Sequence, residues 1–384
     1  MLGFGLIIPD VQVRLKDYGA EGLLLGVVLA AFSLAQFVGA PIAGRLSDRV
    51  GRKPVLVAGA LLYSASYLIY AFAPSVSMIL VSRVVGGLGA SKLSAAFAYV
   101  ADTSAPSERA KAIGLLGVAL GMGFIFGPPI GGLLADAGGN LLLGLVSMAV
   151  SGLNALLILT LLAEPSREAK ADSQASVFGY RQLVAALTIS GLGVLLLMFF
   201  AYSFGFSNLQ ATFILLGKEH FGMSKSGTGF VLGYVGVLTA FVQGLLVGPL
   251  SRRFGERALA RYGMMLVAPS LALLPFATNT AAVYLILAPM SIGAGLAVPA
   301  VLALISRSAP GHVQGGLFGI TQGLGALARV FGPLVGQTAY AFNFKLPYLI
   351  AGGVVLVPLA LAWFAISNPK AEQESAAPGP PASN

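Results

Sequence analysis

Long apolar stretches alternate with short polar segments along almost the whole chain. A stretch of about 20 apolar residues is the length of a helix that crosses a bilayer. Such a segment must be helical, because hydrocarbon offers no partner to an unpaired backbone group. The pattern predicts twelve spans, at about 1–14, 22–45, 54–73, 76–101, 112–136, 141–163, 184–208, 224–249, 258–277, 280–305, 312–340 and 345–367.

The first predicted span is shorter than the others. Only 13 residues precede Arg14, and Asp10 interrupts them. At 1.5 Å per residue this length cannot cross about 30 Å of hydrocarbon. We therefore expect helix 1 to be truncated, with its true start upstream of Met1. The alternative is a half-helix that its neighbours hold in place.

The spans form two groups of six. Residues 1–163 predict an N-terminal six-helix bundle, and 184–367 predict a C-terminal one. Between them, 164–183 is polar and reads as a linker. The Pro- and Ser-rich tail, 368–384, is predicted to be disordered.

The two groups share repeated segments, 204 or 205 residues apart. Two parallel halves with the substrate at their interface are a recurrent transporter plan. The repeats are Gly44–Pro54 with Gly248–Arg257, Ser104–Pro106 with Ser308–Pro310, and Gly127–Gly131 with Gly332–Gly336.

Composition and charge agree with a membrane protein. Hydrophobic residues make up 57% of the chain and charged residues 10%, with a mean hydropathy of +0.87. Soluble domains carry about 25% charged residues. The net charge is +9, but most of the charged residues lie at predicted helix ends and do not form a soluble patch, so nucleic acid is not an expected partner. Without cysteine, and with two histidines at helix ends, the sequence predicts neither a metal site nor a cofactor.

The distribution of Lys and Arg predicts the orientation. They are concentrated in the loops after the even-numbered spans, as in Arg45–Lys53, and in the linker. Positive loops stay in the cytoplasm, so both termini are predicted to be cytoplasmic. The opposite side carries Arg14, Lys16, Lys218, Lys225 and Lys345.

Several segments resemble signatures of the major facilitator superfamily. Gly44–Pro54 resembles its first motif and Arg83–Ala90 its second, while Gly123–Gly132 is similar to the motif typical of its drug/proton antiporters. With Tyr99–Asp102, the run resembles twelve-span, tetracycline-efflux-like proteins. The second half, from Phe204 to Gly336, is also similar to the animal organic-anion relatives.

The resemblance implies an all-α integral membrane fold of two pseudo-symmetric six-helix bundles. It also implies a secondary active transporter that moves a small amphipathic drug, organic anion or metabolite by alternating access, through proton-coupled efflux. Expected partners are the substrate, protons and the bilayer. The expected form is a monomer in the cell membrane, most plausibly a bacterial inner membrane. The alternatives are a receptor or scaffold of transporter fold, which would need larger soluble segments, and a membrane enzyme, for which the chain has no catalytic set.

The first motif predicts a charge cluster. Asp48 and Arg52 are four residues apart, so they can pair on a helical turn. The resemblance implies that Asp48, Arg52 and Asp102 latch the halves when the protein opens outward; the alternative is ordinary positive-inside charges. In the second half Arg252 and Ser306 replace the two aspartates, which predicts a one-sided latch. The predicted latch is Gly44, Asp48, Arg49, Gly51, Arg52 and Asp102.

Small residues in span 5 predict a close helix contact. Pro128 and Pro129 bend the helix, since each removes a backbone donor. The resemblance implies a hinge against span 8 that seals the outer side, and plain helix packing is the alternative. The predicted hinge residues are Gly123, Gly127, Pro128, Gly131 and Gly132.

Basic residues inside spans are the main candidates for substrate binding. A charge at the centre of a span costs about 2.5–3.5 kcal/mol on insertion scales and is usually functional. Arg83 and Arg329 are the predicted cavity cations, with a structural role as the alternative, and the role of Lys92 stays open. Polar residues predicted beside them, or else in helix–helix hydrogen bonds, are Gln36, Tyr202, Asn208, Gln210, Tyr234, Gln243 and Gln322.

None of the fourteen acidic residues falls in the middle of a predicted span. Asp10 is the only nearby substitute for the span 1 carboxylate that the resemblance implies for proton coupling. A cavity with arginines and no carboxylate favours anions over cations. We therefore predict an amphipathic organic anion, or a zwitterion with an anionic group, as substrate.

Overall fold

A computed structural model describes residues 2–105, 107–165, 191–308 and 314–365. These residues form helices joined by short loops. A π-helical turn, Val242–Leu246, joins α8 to α9, and a 3₁₀ turn, Leu274–Phe276, follows α10. The helices are α1 Leu2–Asp17, α2 Gly22–Val50, α3 Arg52–Ala71, α4 Val76–Ala90, α5 Lys92–Thr103, α6 Arg109–Leu161, α7 Leu192–Phe221, α8 Lys225–Phe241, α9 Val247–Phe254, α10 Glu256–Leu273, α11 Thr280–Arg307, α12 Gln314–Phe342 and α13 Leu346–Ala365.

Within the described ranges, eight helices are long and apolar enough to cross a membrane. One of them, α6, supplies both predicted spans 5 and 6. Its backbone leaves helical geometry at Gly138 and Gly139, and Gly139 has a φ of +63° that favours glycine. The chain therefore folds back at the predicted loop. Ser91 alone separates α4 from α5, which together form the span Val76–Thr103.

Span 7 is longer than the sequence pattern predicts. Its helix continues to Phe221, 13 residues beyond the predicted end at 208. The polar residues Ser207, Asn208 and Gln210 lie inside the helix, where Ser207 and Asn208 are buried against other helices. Most of the predicted linker, 166–183, and the tail, 368–384, lie outside the described residues.

Each half has its own apolar core. Leu6, Tyr67 and Ile79 are buried in the first, and Met198 and Phe213 in the second. The two cores meet where α1 of the first half packs on α7 of the second. Three further pairs of described helices join the halves: α2 packs on α12, α6 packs on α8, and α1 packs on α8.

The halves are in contact at one end of the molecule and apart at the other. We call the end with the segment 44–54 the basic end and the other the opposite end. Near the opposite end, a Cβ on Gly26 of α2 would lie 2.8 Å from the carbonyl oxygen of Pro333 in α12. Gly117 and Gly121 continue the α6 face that meets α8 at Ile125 and Pro129, but no described neighbour lies within 4 Å of a Cβ built on either. The ion pairs of the segment 44–54 also stay within the first half. Among the described residues, the interface is therefore closed at the opposite end and open at the basic end.

Candidate functional site

A cavity of about 60 Å³ lies between the two halves. Its first-half wall is largely apolar, and most of its polar groups converge from α1, α4 and α7. The lining residues are Phe4, Ile7, Ile8, Val11, Gln12, Leu29, Ser33 and Arg83 of the first half, and Ser207, Gln210, Ala211, Arg329 and Pro333 of the second.

Arg83 lies in the cavity wall, as predicted from its position in span 4. Its side chain is only 7% exposed. The guanidinium lies 4.6 Å from the ring centre of Phe32 and 5.7 Å from that of Phe4, which are cation–π distances. Its Nε is buried without a hydrogen-bond partner, and the described residues place no carboxylate against it. Arg83 therefore presents a positive charge that no described carboxylate neutralises.

Arg329 supplies a second positive charge from the other half. It lies on α12, lines the same cavity and is exposed. Nη1 would lie 3.5 Å from a Cβ on Gly325, so the side chain runs back along α12 over this glycine. The absence of a side chain at Gly325 thus gives the guanidinium room.

Gln210 is the third predicted residue in the lining, and its partner Gln12 was missed. Gln12 of α1 is 2% exposed, and its Nε2 donates to the carbonyl oxygen of Gln210 in α7 at 2.7 Å. Since a carbonyl only accepts, this bond fixes the orientation of the amide and leaves Oε1 without a partner. The sequence signal that could have identified Gln12 is an amide side chain inside the short first span.

The structure does not bring the other six predicted polar residues into this lining. Most of them take part in packing between helices or between neighbouring turns. Asn208 is fully buried beside Gly336 of α12, and Tyr234 lies edge-on to Tyr284 with ring centres 5.0 Å apart. Tyr202 stacks on Phe206 within α7. The backbone oxygen of Gln36 accepts from Ser91, Gln243 is exposed in the π-helical turn, and Gln322 is exposed on α12.

The predicted charge cluster forms at the basic end of the first half. Nη1 of Arg52 donates to Oδ1 of Asp48 at 2.5 Å and to the hydroxyl of Ser47 at 2.7 Å. Nε of Arg52 donates to Oδ2 of Asp102 at 2.9 Å. The three charges thus tie the α2–α3 turn to the end of α5. Of the other latch residues, Gly44 and Arg49 lie in the last turns of α2.

Gly51 and Glu164 complete this turn. Gly51 joins α2 to α3 with a φ of +111°, where other residues are strained. The Glu164 carboxylate accepts from the backbone N–H groups of Arg52 at 2.6 Å and Lys53 at 2.9 Å. It therefore caps the N-terminus of α3. The sequence analysis assigned Glu164 only to the linker.

The second half also holds an ion pair at the basic end. Nη2 of Arg307 lies 2.9 Å from Oε1 of Glu256. Glu256 stands 204 residues after Arg52, and the same offset places Ser306, next to Arg307, at the position of Asp102. The second half thus joins the corresponding helix ends through an acid and a base in exchanged order. It lacks both aspartates of the first-half cluster, and the one-sided latch stays a prediction.

The predicted hinge glycines bring α6 close to two helices. A Cβ on Gly127 would lie 2.6 Å from Cα of Gly5 in α1, and Gly131 meets the backbone of Leu6. On another side, Gly132 meets the backbone of Lys225 in α8. The remaining hinge residues are Gly123, whose carbonyl oxygen faces Gly5, and Pro128, whose carbonyl oxygen faces Gly229 of α8.

Comparison with known proteins identifies the family. The Major Facilitator Superfamily profile matches residues 1–333 and, in a second match, 195–383. The chain belongs to the Major Facilitator Superfamily. It is therefore a multi-pass membrane transporter, not an enzyme.

The relatives of this superfamily member include drug-resistance proteins. Multidrug resistance protein 1 of Bacillus subtilis (strain 168) is 30% identical over 374 residues, covering 96% of this chain and 95% of the relative. The class C tetracycline resistance protein of Escherichia coli is 30% identical over 366 residues, covering 93% and 92%.

Two solved structures are similar in fold. The human organic anion transporter MFSD10 (TETRAN) has a TM-score of 0.69 at 25% identity, covering 94% of this chain and 95% of that one. A bacterial homologue of the human lysosomal transporter Spinster, in an inward-facing and occupied conformation, has a TM-score of 0.80 at 16% identity, covering 95% and 93%.

Ion pairs join the halves of this superfamily member at the opposite end. Asp10 of α1 is 1% exposed, and its Oδ1 lies 2.5 Å from Nζ of Lys225 in α8. Its Oδ2 accepts from the Tyr70 hydroxyl at 2.5 Å. Asp136 of α6 accepts from the backbone N–H of Ser226 at 2.9 Å. The first turn of α8 is thus bound by two carboxylates of the first half.

Proposed function

We propose that this chain exports small amphipathic organic anions, or zwitterions with an anionic group, by alternating access of the central cavity. The observation that carries this proposal is the pair of arginines, Arg83 and Arg329, which come from different halves and line one cavity. Among the described residues that line it, none carries a carboxylate.

The composition of the cavity wall supports an amphipathic ligand. Phe4, Ile7, Ile8 and Leu29 offer an apolar surface for the body of a solute. Positive charges at low dielectric favour an anion and oppose a cation. The relatives named for multidrug and tetracycline resistance support drug-like solutes, and the similarity to a human organic anion transporter supports the anionic class.

The distribution of basic residues supports an orientation. The segment 44–54 and the pair Arg252 and Arg253 lie at the basic end, which the positive-inside rule assigns to the cytoplasm. Both termini then lie in the cytoplasm, and the cavity opens to the cytoplasm in this conformation. We propose that the protein acts as a monomer in a bacterial inner membrane.

The alternating step follows from the contacts between the halves. We propose that the close contact between the glycines of α6 and α8 seals the opposite end and acts as the hinge. We propose that the cluster of Asp48, Arg52 and Asp102 latches the basic end when the opposite end opens. In this conformation its described ion pairs all lie within the first half.

We also propose that efflux is coupled to protons, with Asp10 as the residue that exchanges them. The support is its burial within α1, where it pairs with a lysine of the other half. A buried ionisable group in a spanning helix is by default a functional hypothesis.

The test is transport by purified protein in proteoliposomes with an imposed pH gradient. The solutes are organic anions and permanent cations with matched apolar bodies. We expect transport of the anions, stimulated by the gradient. Arg83→Ala and Arg329→Ala should each reduce it about tenfold or more, as charged contacts are worth about 1.5–3 kcal/mol. Arg45→Ala, at an exposed residue of the basic end, is the matched control. Robust transport of the cations that neither cavity variant affects would refute the proposed substrate class.

A further inference from the structure

We propose that the ion pair between Asp10 and Lys225 is a proton-operated gate at the opposite end of the molecule. In this scheme a proton on Asp10 releases α8 and opens the cavity to the outside. The inference rests on the proposed function for its orientation, and it assigns the coupling step to a contact between the halves.

Asp10 is held from two directions at the interface. Lys225 approaches Oδ1 from α8 of the second half, while Tyr70 donates to Oδ2 from α3 of the first half. Opening the interface separates Asp10 from Lys225 but leaves Tyr70 in place. The contact with Lys225 therefore depends on the conformation.

The other charged groups near Asp10 are either engaged within the first half or exposed to solvent. Arg14 of α1 donates to the carbonyl oxygens of Tyr70, at 2.5 Å, and Ala73, so it is already engaged in the first half. The pairs Lys16–Glu219 and Asp17–Lys218 also join the halves, and their side chains are between 31% and 62% exposed. Asp136 is likewise exposed.

Burial makes the Asp10 pair the dominant charged contact. Exposed pairs contribute little because water solvates the separated charges. Breaking a buried pair is costly, since it leaves a charge without compensation. Lys225 is 26% exposed and can be hydrated when α8 moves away, whereas Asp10 is 1% exposed. A proton on Asp10 removes the charge that holds Lys225.

The proton balance of the gate involves only Asp10 and water. In the open conformation Asp10 takes a proton from the outer solution and becomes a neutral acid. When α8 returns, the O–H bond breaks, the proton passes to water, and the carboxylate pairs again with the Lys225 ammonium.

The experiment measures opening directly, without substrate. The chain contains no cysteine, so one introduced thiol is a unique reporter. Ser207→Cys places it in the cavity, and a membrane-impermeant thiol reagent is added outside right-side-out vesicles. Ser77→Cys, at an exposed residue of the opposite end, corrects for the pH dependence of the thiol reaction and checks the orientation.

We expect external acidification to raise the corrected labelling of Ser207→Cys. Adding Asp10→Asn should raise labelling about tenfold, as expected for the loss of a buried charged partner, and should abolish its pH dependence. Lys225→Gln should also raise labelling, while Lys225→Arg should keep the gate closed. The matched control is Asp17→Asn, which removes an exposed pair and should change little.

Two results would overturn the gate. One is external labelling of the Ser207→Cys protein that does not change with pH. The other is a pH response that persists in Asp10→Asn. If Asp136→Asn then abolishes this response, the gate is at Asp136 and not at Asp10. The first measurement needs no change at the interface, so poor folding of a variant cannot obscure it. Failure of anion transport with a working gate would instead reject the proposed substrate class.

Discussion

Arg307 pairs with Glu256 at 2.9 Å, in the place where the first half pairs Asp102 with Arg52 at the same distance. The two contacts join corresponding helix ends of the repeat, but the acidic and basic partners have exchanged helices, and Arg307 stands one residue after Ser306, the equivalent of Asp102. An ion pair between these helix ends is therefore present in both halves, with opposite polarity. The surroundings differ too, because Arg52 has a second carboxylate partner in Asp48.

This difference predicts unequal responses to exchanging the charges. The double variant Glu256→Arg with Arg307→Glu should retain transport and unfold within a few degrees of the parent. The corresponding exchange of Arg52 and Asp102 would place a carboxylate beside Asp48, so it should lose at least about 1 kcal/mol and most of its activity. Thermal unfolding in detergent and proteoliposome transport measure both. Equal tolerance of the two exchanges would contradict the assigned role of Asp48.

Gly233 of α8 provides a test of the seal at the closed end. A Cβ there would lie 2.5 Å from Cγ of Pro129 in α6. We expect Gly233→Val to separate the helices and raise external labelling of the Ser207→Cys reporter severalfold, because well-packed contacts do not absorb added methyl groups. Gly248→Val in α9 is the control, since no described neighbour lies within 4 Å of its Cβ. A closed interface in Gly233→Val would argue against this contact as the seal.

Phe32 supports Arg83, and its removal should weaken anion binding. The ring centre lies 4.6 Å from the guanidinium, and such contacts are worth about 0.5–2 kcal/mol. We expect Phe32→Leu to raise the KM for an anion about threefold to thirtyfold, with a smaller effect on the maximal rate. Phe241→Leu, at an exposed ring of α8, is the matched control. The role of the ring fails if both variants have the same KM as the parent.

Glu164 should contribute measurably to stability although it follows the last span of the first half. Its carboxylate caps two N–H groups of α3, and loss of a cap costs about 0.5–2 kcal/mol. We expect Glu164→Ala to unfold a few degrees below the parent. Glu108→Ala is the control, because Glu108 precedes α6 without a side-chain capping bond. Equal melting temperatures for the two variants would rule out the cap.

Much of the architecture was predictable, because a spanning helix reveals itself in one continuous apolar stretch. Arg83 and Arg329 were predictable as cavity residues for a related reason: charges are rare inside spans, so each one indicates a site. The end of span 7 was less predictable. Polar residues such as Gln210 lower the apolar content of a short window, although the helix continues to Phe221.

Contacts between distant residues were not predictable from spacing. Asp10 and Lys225 are 215 residues apart, and Glu164 meets the turn at Arg52 across 112 residues. The pair of Glu256 and Arg307 was not predicted because Arg307 stands one residue after the position equivalent to Asp102. Only the folded chain brings these groups together.

The π-helical turn Val242–Leu246 has a consequence for span 8 as a whole. Bonding from i to i+5 accommodates one extra residue, which rotates the following side chains by about 100° relative to a regular helix. The stripe of residues that meets α6 is therefore not continued by the stripe that reaches the basic end. Selection can alter either stripe without disturbing the other, so substrate access and closure can evolve separately along a single membrane pass.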